Sequence, residues 1–480
     1  MQTIQDIKQA ITDGKLETTS LMLHALIDQN ELERAGTEKK MHLRYLQEKG
    51  GVPVLNKTFA RHEKVEVRLP NDFFGDIIDV KTGYLGNEIS IEVSEKLAGE
   101  KAVAQNTFLQ DWAKKNRTAD KNSELVKGAA MCGRWFRLLY ASKPGDARIM
   151  NMPAWECVVY RDAGTDEIVY GMRYYRMTEV TTGVSKGAGA SREQEKSHYR
   201  VEWYDDTSLT KYEENSDGEF VEMEPPMRHL FKGVPLLEFR NNEEGMSEAS
   251  SALDLIDAYD DILSDATSEV EQLRMAYMFL KGTGLAINAA FMENVRQTGV
   301  FPLTDAGEIG FASKDLNSAG GFITSLLAEI RKNIYAFAKS IDLSEDRGGD
   351  MRVIGWQIAL LRMEMSSQVT ERKFKDSYLR QYELLTQYWG KVQNTAQIDP
   401  YSLHFTFTRK FPKDVAQEVL TLVDAIAVLP LETAYGLMSF IDDPKELADK
   451  WREEQLATIP NVDAFPPPDE TPNEPPQDEE

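Results

Sequence analysis

The sequence predicts an α+β protein, and three observations predict it. Between Gly245 and Gly390 three long helical patterns follow one another. Between about Trp135 and Phe239 the hydrophobic period switches to two, the repeat of a half-buried strand. A further alternating segment, Ser402-Leu-His-Phe-Thr-Phe-Thr-Arg409, follows the last long helix. Strands gathered in one stretch and helices in others suit an α+β fold rather than alternating βαβ units.

Composition limits what such a fold can do. A chain of 480 residues holds more than one domain and a large core. The formal charge of −24, from 79 acidic and 55 basic residues, argues against an outer surface that grips nucleic acid, because phosphate neutralisation needs clustered Lys and Arg. It permits a wall that DNA must slide past, since acidic walls repel phosphates. Cys132 and Cys157 read as reduced, buried thiols of a reducing cytoplasm rather than a disulfide framework. The start Met-Gln-Thr-Ile-Gln-Asp lacks the pattern of a signal peptide. The longest apolar run, Val419 to Leu429, is short and interrupted by Asp424, so no membrane span is expected.

Taken in order, the first fifty residues read as helical, with caps and then apolar spacing from Thr18. From Asn71 to Lys127 helices alternate with strand-like pieces such as Glu88-Ile-Ser-Ile-Glu-Val93. The strand-rich region holds Arg134–Tyr140, Trp155–Tyr160, Ile168–Tyr175, Tyr199–Tyr204 and Ser208–Tyr212, separated by Pro144-Gly145 and Asp217-Gly218. Gly183 to Lys196 reads as a mobile hairpin tip. The first long helix, 247–280, carries an apolar stripe of Leu255, Tyr259, Ile262, Ala266, Val270, Leu273 and Tyr277, with Asp and Glu over much of the rest. Val300–Leu303 and Ile309–Phe311 suit a small sheet around a short helix at 290–296, and a second long helix follows over 318–340. A loop from Asp342 to Asp350 leads to the third, which reaches Trp389. These rods should span ~50, ~35 and ~58 Å. Helices are expected from Lys413 to about Leu429 and from Pro444 to Leu456, and the Pro-rich, acidic end cannot bury enough apolar surface to order itself.

A catalytic constellation is not found. His24, His42, His62, His198, His229 and His404 are scattered without metal-ligand spacing, and no phosphate-binding loop or nucleophile elbow is present. Neither a cofactor nor a metal is expected. Acidic pairs such as Asp260-Asp261 and Asp442-Asp443 could hold a divalent ion or do acid–base work, which keeps a cytosolic α+β metal-dependent hydrolase as the alternative. The bland reading is a solvated helix face.

Gly233-Val-Pro-Leu-Leu-Glu-Phe-Arg-Asn-Asn-Glu-Glu-Gly245, running into Leu255-Ile-Asp-Ala-Tyr-Asp-Asp-Ile-Leu-Ser-Asp265, closely resembles the portal proteins of tailed phages, above all the family of long-tailed phages of Gram-positive hosts. Phe74–Gly86, Glu124–Gly133 with Leu138–Tyr140, and Phe405–Arg409 keep the order of that family's early helix, next helix and strand, and late strand. The likeness extends from about residue 70 to 455.

The resemblance implies a homo-oligomeric ring, usually a dodecamer, at one capsid vertex of a virion assembled in the host cytoplasm. It implies a wing at 1–246, stem helices at 247–280 and 318–340, a clip at 281–317 and a tunnel loop at 341–351. A long helix and wing strand at 352–412, a crown at 413–458 and a disordered acidic tail at 459–480 complete it. Ser344, Glu345, Asp346, Arg347, Gly348, Gly349 and Asp350 would face DNA. Asp257, Asp261, Asp265 and Glu269 become candidates for lining the channel, and Glu293, Arg296, Asp305 and Glu308 for docking at the clip. The implied partners are double-stranded DNA, terminase, a head-completion adaptor, and the major capsid and scaffolding proteins, with no membrane and no catalysis. Gly355 and Ser366-Ser367 are positions where the third helix could kink.

Overall fold

The computed structural model describes residues 20–57, 67–86, 88–94, 99–143, 146–162, 164–181, 194–274, 277–281, 293, 308–312, 316–344, 351–392, 398–409, 429–436, 445 and 447–452. The chain divides into two compact units, 1–409 and 410–480.

The first unit begins with α1 (Ser20–Asn30), a π-turn at Glu31–Ala35 and α2 (Gly36–Tyr45). Then come α3 (Phe73–Leu85), β1 (Glu88–Val93), α4 (Ala102–Asn116) and α5 (Thr118–Cys132). Asp72 caps α3 by accepting from the Gly75 N–H, the preferred use of an Asp at that place. The strands are β2 (Arg134–Lys143), β3 (Asp146–Met152), β4 (Cys157–Arg161), β5 (Ile168–Thr181), β6 (Gln194–Tyr204), β7 (Ser208–Glu214), β8 (Phe220–Arg228) and β9 (Leu236–Arg240). They form a three-stranded sheet of order β3-β2-β9 and a five-stranded sheet of order β4-β5-β6-β7-β8, antiparallel throughout. The α+β class is therefore observed.

Three apolar clusters hold this unit. α1 lays Met22, Leu23, Leu26 and Ile27 on Met172, Tyr174, Val201 and Trp203 of the larger sheet. Leu125, Val126, Leu139, Phe239, Phe374, Tyr378 and Trp389 share a second cluster across the smaller sheet. The third joins Phe74, Ile77 and Ile78 of α3 to Ile256 and Ile334. Side chains of this size each contribute about 1.5–3 kcal/mol when fully buried.

The long helices are α6 (Leu253–Arg274), α7 (Leu316–Phe337) and α8 (Met351–Val392). β10 (Tyr277–Lys281) and β11 (Glu308–Ala312) pair antiparallel between α6 and α7. β12 (Leu403–Thr408) pairs with β1. In the second unit α9 spans Leu431–Gly436, and 447–452 are helical, with an Arg452–Asp449 ion pair at 2.9 Å. Among the described residues no helix is long and apolar enough to cross a membrane.

Several expectations are corrected. The first long helix stops at Arg274, and Tyr277 to Leu280, which continue its apolar stripe in sequence, belong to β10. Cross-strand pairing with β11 overrides helical periodicity there, a common outcome for a short apolar run. At 1.5 Å per residue α6 is ~33 Å long rather than ~50 Å, while α8 reaches ~63 Å. Trp155 and Glu156 form a 3₁₀ turn, and β4 starts at Cys157. β3 and β8 were not anticipated as strands; β8 carries Pro225-Pro226, which edge strands tolerate. The expected tip at 183–196 falls between paired β5 and β6; its residues 183–193 lie outside the described set, and 194–196 already belong to β6. Both cysteines are free and buried, as expected.

Candidate functional site

Helix α6 presents carboxylates and hydroxyls along one row, and the segment before α3 is strapped to it. Val67 N–H donates to Ser268 Oγ, Leu69 N–H to Ser264 Oγ and Asn71 N–H to Asp260 Oδ1, each at 3.0 Å. The fit is a matching of repeats. Two residues of extended chain advance ~6.6 Å and four residues of helix ~6.0 Å, so alternate amides meet every fourth helical side chain. Pro70, which has no N–H to give, falls out of phase with the three donors.

The same helix face is neutralised by cations of its own chain. Lys57 Nζ lies 3.2 Å from Asp261 and 3.0 Å from Asp265, while Arg44, nearly buried, holds Asp257. The channel-lining candidates Asp257, Asp261 and Asp265 are thus brought together, each with a positive partner. Asp261 and Asp265 remain about half exposed. Glu269 lies on the same helix, its side chain outside the described set. Asp260 departs from the solvated face expected of it, being 1% exposed. Burial pushes its carboxyl up to about 6 although Asn71 and Arg44 work in the opposite direction.

Where α6 begins, a buried polar knot ties four elements together. Lys81 Nζ, on α3, lies 3.0 Å from Glu248 Oε2, with side chains 2% and 7% exposed. Ser366 Oγ of α8 donates to Glu248 Oε1 at 2.6 Å and accepts from Lys81 at 3.1 Å. Asn241 Nδ2 donates to Glu248 Oε2 at 2.9 Å, and Thr370 Oγ1 donates to Asn241 Oδ1 at 3.0 Å. Burial would raise the Glu248 carboxyl, but Lys81 and these donors outweigh it and hold it below the usual range. Behind the knot Gly133 ends α5 with φ 88°, its carbonyl accepts from Asn241 N–H at 2.9 Å, and a Cβ there would run into the Gly245 carbonyl. Gly133 must therefore lack a side chain on two counts, handedness and space.

A second ion cluster sits on β9. Glu238, fully enclosed, accepts from Arg240 at 2.9 Å, Arg161 at 3.2 Å and Arg134 at 3.5 Å, and Arg134 also holds Glu38 of α2 at 2.6 Å. The stretch Leu236 to Glu248 thus supplies Glu238 and Glu248, two buried carboxylates at the junction of sheet and helices. Sequence reasoning found that stretch by resemblance but missed Lys81, Ser366 and Thr370. A lone Lys inside the apolar Phe73–Leu85 pattern was the available signal, because a buried ammonium requires a carboxylate.

The loop after α7 is pinned at its root. Arg331 grips Asp342 with two nitrogens, at 2.6 and 3.0 Å, and Ser344 Oγ donates to Asp342 at 2.7 Å while accepting from Arg331. Arg331 and the Ser344 donors offset burial and keep the Asp342 carboxyl below its ordinary value. Of the predicted loop residues Ser344 is exposed, and Glu345, Asp346, Arg347, Gly348, Gly349 and Asp350 lie outside the described residues. So do Arg296 and Asp305. Glu293 is exposed, and Glu308 opens β11.

Helix α6 is thus strapped along its length and locked at its base through a buried ion pair. The chain belongs to the phage portal protein family of the SPP1 Gp6-like type, which matches residues 9–461. The portal protein of Bacillus phage SPP1 is 25% identical over 354 residues, covering 69% of this chain and 66% of that protein, just under two thirds of its length. The portal protein of Clostridium phage phiCD119 is 20% identical over 431 residues, covering 85% of this chain and 89% of its own. The hydrolase alternative finds no support in that membership; of the pairs that prompted it, Asp260-Asp261 is divided, Asp260 facing Asn71 and Asp261 facing Lys57, and Asp442-Asp443 lies outside the described residues.

Proposed function

We propose that copies of this chain close into a ring at one capsid vertex, through which double-stranded DNA is packaged and later ejected. One observation carries the reading: α6 leads into β10, β11 pairs back on it, and α7 returns against α6, with Ser251 Oγ donating to the Phe337 carbonyl at 2.8 Å. Two antiparallel rods joined through the β10–β11 pair and locked to the α+β body suit a stem that lines a passage. Residues 1–246 with most of α8 and β12 then make the wing, 281–317 the clip, 341–351 the tunnel loop and 413–458 the crown. The ring has the dodecameric order usual in the family and sits in the virion after assembly in the host cytoplasm.

Terminase would dock on the clip during DNA packaging and a head-completion adaptor afterwards, with Glu293, Arg296, Asp305 and Glu308 as contacts. The body would meet the major capsid and scaffolding proteins. Asp261 and Asp265 would line the channel beside their neutralising Lys57, with Glu269 further along α6, leaving a wall that neither grips nor strongly repels phosphate there. The Arg331–Asp342 clamp fixes the base from which Glu345, Asp346 and Asp350 reach the DNA. Replacing Glu345 and Asp346 together with Lys adds phosphate contacts and should slow translocation by about twofold or more in a packaging assay. Unchanged rates would contradict a DNA-facing loop.

A further inference from the structure

A cationic face stands where α4 ends and α5 begins, against the trend of a chain carrying −24. Beneath it lies Arg137, 1% exposed. Its guanidinium donates to Asn151 Oδ1 at 3.1 Å, Gln381 Oε1 at 3.2 Å and the Lys121 carbonyl at 3.2 Å, and it lies over the Phe239 and Tyr378 rings. Among the described residues no carboxylate pairs with it. An enclosed charge without a counter-ion projects its field outward with little screening.

The surface above adds to that field. Lys121 Nζ donates to the Ile149 carbonyl at 2.6 Å, and Arg148 to the Lys115 carbonyl at 2.7 Å, so backbone oxygens hold both cations in place. Lys114, Lys115 and Arg117 are exposed beside them. Burial first, and then Arg137, Arg148 and Arg117, push the Lys121 ammonium below its ordinary value. Against these stand Asp146, paired with Arg148 at 3.0 Å, and Asp120, exposed in the first turn of α5. Tyr140 and Met150, each 39% exposed, share the sheet face with Arg148, since Tyr140 opposes Arg148 and Leu138 opposes Met150.

We propose that this face binds an acidic segment of a partner protein. By strand alternation Tyr140 and Met150 lie on the opposite face of the sheet from Arg137, so the attraction rests on the cations gathered at the helix junction. A DNA duplex extends far beyond the patch and would meet the field of a strongly acidic chain, whereas a short segment need not. The reading does not depend on ring closure.

The test is fluorescence anisotropy of a labelled oligo-glutamate peptide with the full-length protein at roughly 50 mM and roughly 300 mM salt. Binding should weaken at the higher salt and fall by about tenfold or more in Lys115→Glu/Arg117→Glu. Arg228→Glu, an exposed change on β8, should leave it unaltered. No binding at low salt would overturn the proposal, as would equal loss in Arg228→Glu or no loss in the double variant. So would tighter binding of a labelled duplex at the same residues, which would make the face a nucleic-acid site.

Discussion

Lys81→Met should destabilise the protein by about 3–5 kcal/mol, because it removes the cation and leaves Glu248 charged and enclosed. With an unfolding entropy of ~2.1 cal/mol/K per residue, a cooperative unit of this size would melt roughly 3–5 °C lower. The loss should shrink as pH falls. Without Lys81 burial raises the Glu248 carboxyl, so the folded variant takes up a proton that the unfolded chain releases near pH ~4, and acid then favours the folded state. Lys81→Met/Glu248→Gln should recover more than half of the loss, since a neutral pair carries no uncompensated charge. A double variant as unstable as the single one would contradict an uncompensated Glu248 charge as the cause of the loss.

Asp260→Asn should stabilise the protein at neutral pH by about 1–2 kcal/mol. The Asp260 carboxyl is raised to about 6 in the folded protein, chiefly by burial, with Asp257 adding to it and Asn71 and Arg44 opposing. Its unfolded value is about 3.9. The sign follows from the raised value. Between pH ~4 and ~6 the folded state binds the extra proton, so this carboxyl contributes stability below ~4 that is lost as pH rises through 6. An amide keeps an acceptor for the Asn71 N–H and Nδ2 donors, both on Oδ1, while the charge is gone. Two pKa units correspond to at most ~3 kcal/mol, and placing the new NH₂ group takes back part. Melting curves of both proteins from pH 4 to pH 8 check this. The variant's advantage should grow across that range, and a constant difference would contradict it.

How much was legible in the sequence differs from one element to the next. Helices α3, α5, α7 and α8 and strands β1, β2 and β12 were readable because each buries one face and repeats at one period. β10 was misread because Tyr277 to Leu280 are apolar at every position, so a period of two and one of 3.6 fit equally well, and only β11 decides between them. Asp260 was taken for one more solvated acid on a helix rich in them. What distinguishes it is Asn71, distant in sequence and brought near by the strap. The knot escaped for the same reason: Lys81, Glu248 and Ser366 lie far apart along the chain, and no local spacing joins them. The stretch Gly233–Gly245 was legible in another way, as a family likeness. The structure supplies its physical content in Glu238, in Asn241 and in the contact between Gly133 and Gly245.

The central claim is that this chain lines a passage as a closed ring. Electron microscopy of the purified full-length protein, with its mass measured by light scattering, tests it most directly. The account predicts rings with a central hole and a mass that is a whole-number multiple of 54.4 kDa. A monodisperse particle of 54.4 kDa without a hole, at every protein concentration tried, would contradict it.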